Sequence, residues 1–105
     1  MVKSDLIKKI AKYHDCLTEH DVKLCVNNIL HSMSNALSLG RRIEIRGFGA
    51  FRLNYRPSRN SHNPKTGQKV VVTQKYVPHF KTGKGLADRV NNARKDGVLI
   101  KEDEE

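Results

Sequence analysis

From Arg56 to Lys69 the chain runs for fourteen residues, RPSRNSHNPKTGQK, without one side chain that a protein core would take up. Pro57, Asn63, Pro64 and Gly67 punctuate this stretch, and four of its residues are Lys or Arg. In a chain of only 105 residues such a segment has to lie outside the packed body. Directly after it, Val70, Val71 and Val72 and then Tyr76, Val77 and Phe80 restore strand-forming residues. The simplest geometry is an extended ribbon that leaves the body, turns between about Asn63 and Gly67, and comes back. The alternative is an insertion that stays unordered without a partner, because an isolated two-stranded ribbon is marginal in water.

The flanking segments carry ordinary periodicities. Leu6, Ile7, Ile10 and Ala11 fall at helical spacing over about 4–14, with lysines on the other face. Thr18 is placed as an N-cap, with Asp21 in the capping-box position and Leu17 and Val22 as a hydrophobic staple. It opens a helix over about 18–39. Along that helix Val22, Cys25, Val26, Ile29, Leu30, Met33 and Leu37 form one wide apolar stripe expected to pack in the core, and Gly40 fits the residue after its end. The period then becomes alternating: Ile43 and Ile45 sit between Arg42, Glu44 and Arg46, Gly47 and Gly49 mark a turn around Phe48, and Phe51, Leu53 and Tyr55 alternate with Arg52, Asn54 and Arg56. That is a hairpin. Thr82 is placed to cap a last helix over about 83–93, with Leu86, Ala87 and Val90 facing inward, and Asp96-Gly97 ends it. The order of elements describes an α+β body with an arm over about 55–75 and a C-terminal tail over 94–105.

Charge is distributed as unevenly as apolarity. The net charge is +9; residues 1–40 carry five Lys/Arg against four Asp/Glu, residues 41–95 fourteen against two, and residues 96–105 one against five. A polyanion would therefore meet the middle and later part of the chain, although charge alone does not choose among DNA, RNA and an anionic membrane. No apolar run has the length of a membrane span, and none near the N-terminus resembles a secretory signal, so a cytosolic location is expected. Cys16 and Cys25 make no metal-binding or redox pattern and read as ordinary thiols. His14, His20, His31 and His79 lack metal spacing and read as surface or hydrogen-bonded residues, and no cofactor or small-molecule site is visible.

Without its arm and tail, the body has roughly 70 residues, three helices and a small sheet. Bodies of that size often need an additional source of stability, and with no disulfide or metal the candidate is dimerisation. Phe48, Phe51 and Phe80 are expected to be buried between two subunits.

Three ordered motifs are more specific than any one of them: Arg42-Ile43-Glu44-Ile45-Arg46-Gly47-Phe48-Gly49-Ala50-Phe51, then Asn63-Pro64-Lys65-Thr66-Gly67, then Tyr76-Val77-Pro78-His79-Phe80-Lys81. From about Lys3 to Asn92 the chain resembles the HU/IHF family of bacterial nucleoid proteins, and the first motif looks most like the beta-type branch of its IHF side. The resemblance implies one domain over 1–93 and an intertwined dimer, with a helical base, a small antiparallel sheet as a saddle and one long β-ribbon arm per subunit. It also implies an architectural protein of the cytoplasmic nucleoid that binds the minor groove of double-stranded DNA and bends it, serving recombination, replication and transcription control. The dimer would be either a heterodimer with an alpha-type subunit or an HU-like homodimer that binds and compacts DNA without sequence preference.

By the same resemblance Pro64 is the intercalating wedge; alone, it reads first as a turn former. A prolyl ring is apolar and rigid and brings no backbone donor, so it suits insertion between bases. Arg52, Arg56, Arg59, His62, Asn63, Lys65, Lys69 and Lys75 lie on or beside the arm, where they would follow phosphates and the groove floor. Lys81 and Lys84 stand where the last helix begins, and its first amides favour a phosphate. Arg42, Glu44 and Arg46 form the remaining group. Glu44 and Arg46 are alternate residues of one strand and are expected to hold each other, and in the matching branch this pair helps set sequence preference. The chain departs from the family pattern at the tip. Ser61 and His62 stand where the family commonly has Gly and Arg, leaving a tip that binds less tightly or responds to pH.

Two other classes compete. A small basic chain with a long loop also suits a ribosome-associated RNA-binding protein, but aromatic platforms would be needed, and Tyr55 and Tyr76 are not expected to cluster on adjacent strands. An enzyme would need a nucleophile with its base, a metal site or a phosphate loop, and the sequence contains none of these groupings.

Overall fold

The computed structural model describes residues 1–101; the acidic residues 102–105 of the tail lie outside the described residues. The chain divides into two units, Met1–Asn35 with the chain from Asp88 onward, and Ala36–Ala87. The helices among the described residues are α1 (Lys3–Tyr13), α2 (Glu19–Ser38) and α3 (Lys84–Lys95), within two residues of the expected bounds. Five strands complete it: β1 (Ile43–Ile45), β2 (Gly49–Arg56), β3 (Arg59–His62), β4 (Lys69–Val72) and β5 (Lys75–Thr82).

In the first unit, Ile7 of α1 packs with Val22 and Val26 of α2, and Ile10 and Ala11 close around them. The entry to α2 is held as its sequence suggests, Thr18 Oγ1 accepting the Asp21 amide at 3.1 Å. Val2 has no acceptor with which to cap α1, so that helix keeps only the return bond, the Val2 amide donating to the Asp5 carboxylate at 3.2 Å. Lys3 Nζ donates to Asn27 Oδ1 at 2.9 Å and ties the two helices together. Helix α3 ends in a Schellman motif: Gly97 N–H donates to Arg94 O and Val98 N–H to Ala93 O, each at 3.0 Å. Arg94 and Lys95, expected to open the tail, thus belong to the helix.

The second unit holds the end of α2 and all the strands. Gly40, at φ 76°, ends α2 with the same motif, its amide reaching Leu37 O and that of Arg41 reaching Ala36 O. Strands β1, β2 and β5 form one antiparallel sheet in that order, and β3 and β4 form a two-stranded ribbon. β5 is an edge strand of its sheet, which is why Pro78 is tolerated in it. Phe80 packs against Phe51 with ring centroids 4.8 Å apart and against Phe48 at 5.4 Å. Gly49 makes this approach possible: a Cβ there would stand 2.6 Å from both Phe80 Cζ and the Lys81 carbonyl.

Three hydrophobic side chains are buried among the described residues: Ile7, Val22 and Val26. The α2 stripe is therefore not covered by its own chain as expected. Val22 and Val26 are buried and Met33 and Leu37 half-buried, but Cys25, Ile29 and Leu30 are exposed. The phenylalanines likewise meet one another within one chain, and Phe48 keeps 46% of its surface exposed. Val98, Leu99 and Ile100 are exposed beyond α3. The physical reason is size: the elements of one copy do not present enough surface to cover both the helix stripe and the phenylalanine face.

Association should then contribute to folding, and the thermal midpoint of the purified chain should rise by about 3 °C or more for each tenfold increase in protein concentration. Calorimetry over such a series checks this; a cooperative transition at a fixed temperature would show that a single copy folds unaided.

Candidate nucleic-acid interface

Every candidate binding residue falls within the Ala36–Ala87 unit, and every one is exposed. The strand register sorts them. In an antiparallel sheet successive residues alternate between faces and directly paired residues share a face. Phe51 pairs with Phe80, Leu53 with Pro78 and Tyr55 with Tyr76, and Ile43 pairs with Phe51 from β1, so one face is apolar and aromatic. The pairs between them are Ala50 with Lys81, Arg52 with His79, Asn54 with Val77 and Arg56 with Lys75. The other face is thus cationic, joining Arg52, Arg56, Lys75 and Lys81 from two strands. It also contains His79, which sequence spacing alone left among the surface histidines. Its separation of two from Lys81 was the available signal, and the register with Arg52 makes it decisive.

At the β1 end Glu44 lies on the same face, opposite Ala50. Its ion-pair partner is Arg42, with Nη2 and Oε2 4.0 Å apart and both side chains largely exposed, and not Arg46 as expected. The alternation that would put Glu44 and Arg46 together stops one residue short, because β1 ends at Ile45. Arg46 then enters a turn closed by the Phe48 amide on Ile45 O at 3.0 Å, with Gly47 at φ 84°. Thr82 is not the cap of α3. Pairing with Gly49 keeps it in β5, and the first carbonyl of the helix ladder belongs to Gly83, which accepts the Ala87 amide at 3.1 Å. The Gly83 amide donates to Phe48 O at 2.9 Å, so the helix start is tied to the β1–β2 turn. Lys84 is the first residue of α3, beside the helix N-terminus.

The arm is not one continuous ribbon. Arg56 pairs with Lys75 and the next pair is Arg59 with Val72, leaving Pro57 and Ser58 unpaired on one strand and Thr73 and Gln74 on the other. Equal numbers are skipped on both sides, so the register continues without a bulge; what is lost is the ladder, at the place where Pro57 brings no amide hydrogen. The Tyr55 hydroxyl donates to Gln74 Oε1 at 3.3 Å and braces this break. Tyr55 and Tyr76 do form an aromatic pair on adjacent strands, against expectation, with centroids 5.8 Å apart and planes at 59°. Their separation in sequence concealed a direct cross-strand register. The tilted rings pack on each other at the base of the arm, which is a packing arrangement and not two parallel platforms for bases.

Beyond the break, Arg59 pairs with Val72 and His62 with Lys69, and Asn63 organises the tip. Its amide donates to Gln68 O at 2.8 Å, its carbonyl accepts the Gly67 amide at 2.7 Å, and its side-chain Oδ1 accepts the Lys65 amide at 2.9 Å. Gly67 takes φ 69°, as this turn requires. Pro64 sits at the start of that turn and Lys65 follows it, so the exposed ring is carried on a backbone held from three directions by one asparagine.

This fold and sequence are shared with proteins already known. The family model described as bacterial DNA-binding protein matches residues 1–91. This chain belongs to that family, the HU/IHF proteins. It is 54% identical over 93 residues to the integration host factor beta subunit of Saccharophagus degradans, covering 89% of this chain and 95% of the relative. With the beta subunit of Nitrosospira multiformis it shares 55% over 91 residues, covering 87% and 97%. Among solved structures, an Anabaena HU–DNA cocrystal structure superposes with a TM-score of 0.78 at 29% identity, over 86% of this chain and 97% of that one. HU from Thermotoga maritima gives 0.59 at 31% identity, over 86% and 98%. For an HU/IHF protein, the α+β fold and three ordered motifs were therefore correctly read from sequence.

Exchanging Arg52 and Lys75 for glutamine should flatten the dependence of log affinity on log salt for a mixed-sequence duplex by about one to two units, because fewer counterions are released on binding. Anisotropy titrations across a salt series measure this slope; an unaltered slope would remove these side chains from the phosphate contacts.

Proposed function

We propose that this chain is one subunit of a dimeric architectural protein that grips duplex DNA by the minor groove and bends it, with Pro64 as the wedge. The observation that carries this reading is the division of the sheet: one face supplies aromatic and aliphatic surface, the other supplies cations, and the arm extends from the pairing of β2 with β5 that joins them. HU and IHF are established examples of proteins that kink DNA from the minor groove, so family membership supports a wedge at Pro64. That geometry suits it. Pro64 is exposed, lacks an amide that insertion would strand, and stands on a turn whose hydrogen bonds are satisfied internally.

Bending has a cost of about 1–10 kcal/mol for the DNA, offset by contacts that the bent path allows. Arg59, Lys65 and Lys69 along the arm and Arg52, Arg56, Lys75 and Lys81 on the sheet face would neutralise phosphates on the wrapped side. Arg46, freed from Glu44, stands in the β1–β2 turn as a cation available to the groove, while Arg42 and Glu44 hold each other beside it. Identity of 54–55% with integration host factor beta subunits, against 29–31% with the HU chains, favours a heterodimer with an alpha-type subunit over a self-paired HU-like protein. Its setting would be the nucleoid, at recombination, replication and transcription complexes that need looped DNA.

Pro64→Ala tests the wedge. The variant dimer should still bind, and energy transfer between dyes at the two ends of a short duplex should report a smaller bend. An unchanged end-to-end distance would show that the bend arises without intercalation at this residue.

A further inference from the structure

Between Glu44 and Asp88 the chain contains no carboxylate at all, and two of its histidines, His62 and His79, lie within that interval. Both are exposed, and each is paired across its strands with a permanently charged cation: His79 with Arg52, and His62 with Lys69. We propose that DNA binding takes up protons at His62 and His79, making the affinity of this chain for DNA rise as the pH falls through the range in which imidazole titrates. The proposal rests on the DNA-binding reading and deepens it.

The surroundings of the two rings are simple. His79 lies on β5, whose sheet partner is β2; on its face it has Arg52 directly opposite, Lys81 two residues on, and Lys75 beyond Val77. The acid on this face, Glu44, is across the sheet on β1, opposite Ala50 and paired with Arg42. Arg46 in the β1–β2 turn and Lys84 at the start of α3 add only positive charge. His62 lies on β3, whose partner is β4; it faces Lys69 there, and Lys65 follows in the tip turn. Directly paired side chains in an antiparallel ladder have Cβ atoms about 4.5–5.5 Å apart, so each imidazole stands beside a cation and has no carboxylate across the strand.

Phosphate would bring the missing negative charge. It is the anion that the local sequence does not supply, and at either position it would favour the charged ring. The sign follows from linkage: a group protonated more fully in the complex than in the free protein makes binding tighter below its titration range and weaker above it. The two positions would act at different places on the duplex. His79 belongs to the sheet face, among Arg52 and Lys81, whereas His62 stands two residues before Pro64, where the arm would enter the groove. The other three histidines lie at His14, His20 and His31, and the first two are flanked in sequence by acids, Asp15 beside His14 and Glu19 and Asp21 beside His20.

The experiment is a fluorescence anisotropy titration of a labelled mixed-sequence duplex with the full-length dimer, at constant ionic strength, at about pH 6 and about pH 8. The wild type is expected to bind about three- to tenfold more tightly at the lower pH. The double variant His62→Gln/His79→Gln should lose most of that gain, the ratio of its affinities at the two pH values falling toward one. The double variant His62→Lys/His79→Lys should bind at the higher pH as the wild type does at the lower, with little dependence on pH. Equal wild-type affinities at the two pH values would overturn the proposal. So would a full pH gain retained by the glutamine variant, which would place the proton uptake at other groups. Absence of salt-sensitive binding at both pH values would overturn the DNA-binding reading itself.

Discussion

Eight consecutive residue pairs join β2 to β5, from Gly49 opposite Thr82 to Arg56 opposite Lys75, and their register sorts the side chains of the sheet into a cationic and an apolar face. A slip of one residue would carry Phe51, Leu53 and Tyr55 to the cationic side and Arg52 and Arg56 to the apolar one. The register is pinned at one end by the approach of Phe80 to Gly49, where no Cβ would fit, and at the other by the contact of Tyr55 with Tyr76. It survives the interruption at Pro57, because β3 and β4 resume in step with β2 and β5. The tip is therefore held at a defined number of residues from the sheet, and Pro64 with it.

The chain also carries a surplus of apolar surface. Ile29 and Leu30 on α2 and Phe48 beside the sheet are exposed although each belongs to an apolar pattern, and the buried core of the described residues is three side chains. A second subunit would resolve this economically, since an interface formed by apolar surface is covered on both chains at once. Alternation along two strands puts apolar side chains on one face and cations on the other, a division that suits a protein partner on one side and DNA on the other.

Local features were legible in sequence to the extent that a local interaction decides them. Thr18 caps α2, Gly40 ends it, and the hairpin and the tip turn fall where alternation and the Asn63–Gly67 motif put them. What failed were inferences that extended a period one residue too far or ignored pairing across strands. Glu44 and Arg46 have strand spacing, but the strand ends between them. Thr82 is a good capping residue, but strand pairing holds it in β5 and Gly83 fits against the Phe48 backbone instead. Tyr55 and Tyr76 are far apart in sequence, and only the register reveals them as neighbours. The α2 stripe was read correctly as apolar, but periodicity does not say which chain covers it.

The proposal that a dimer grips DNA through the cationic face is tested most directly by stoichiometry. Native mass spectrometry of the chain mixed with a short duplex, alone and together with an alpha-type subunit, reports how many protein chains each DNA carries. The account predicts two subunits per duplex in every salt-sensitive complex. A single copy bound per duplex with undiminished affinity would contradict it.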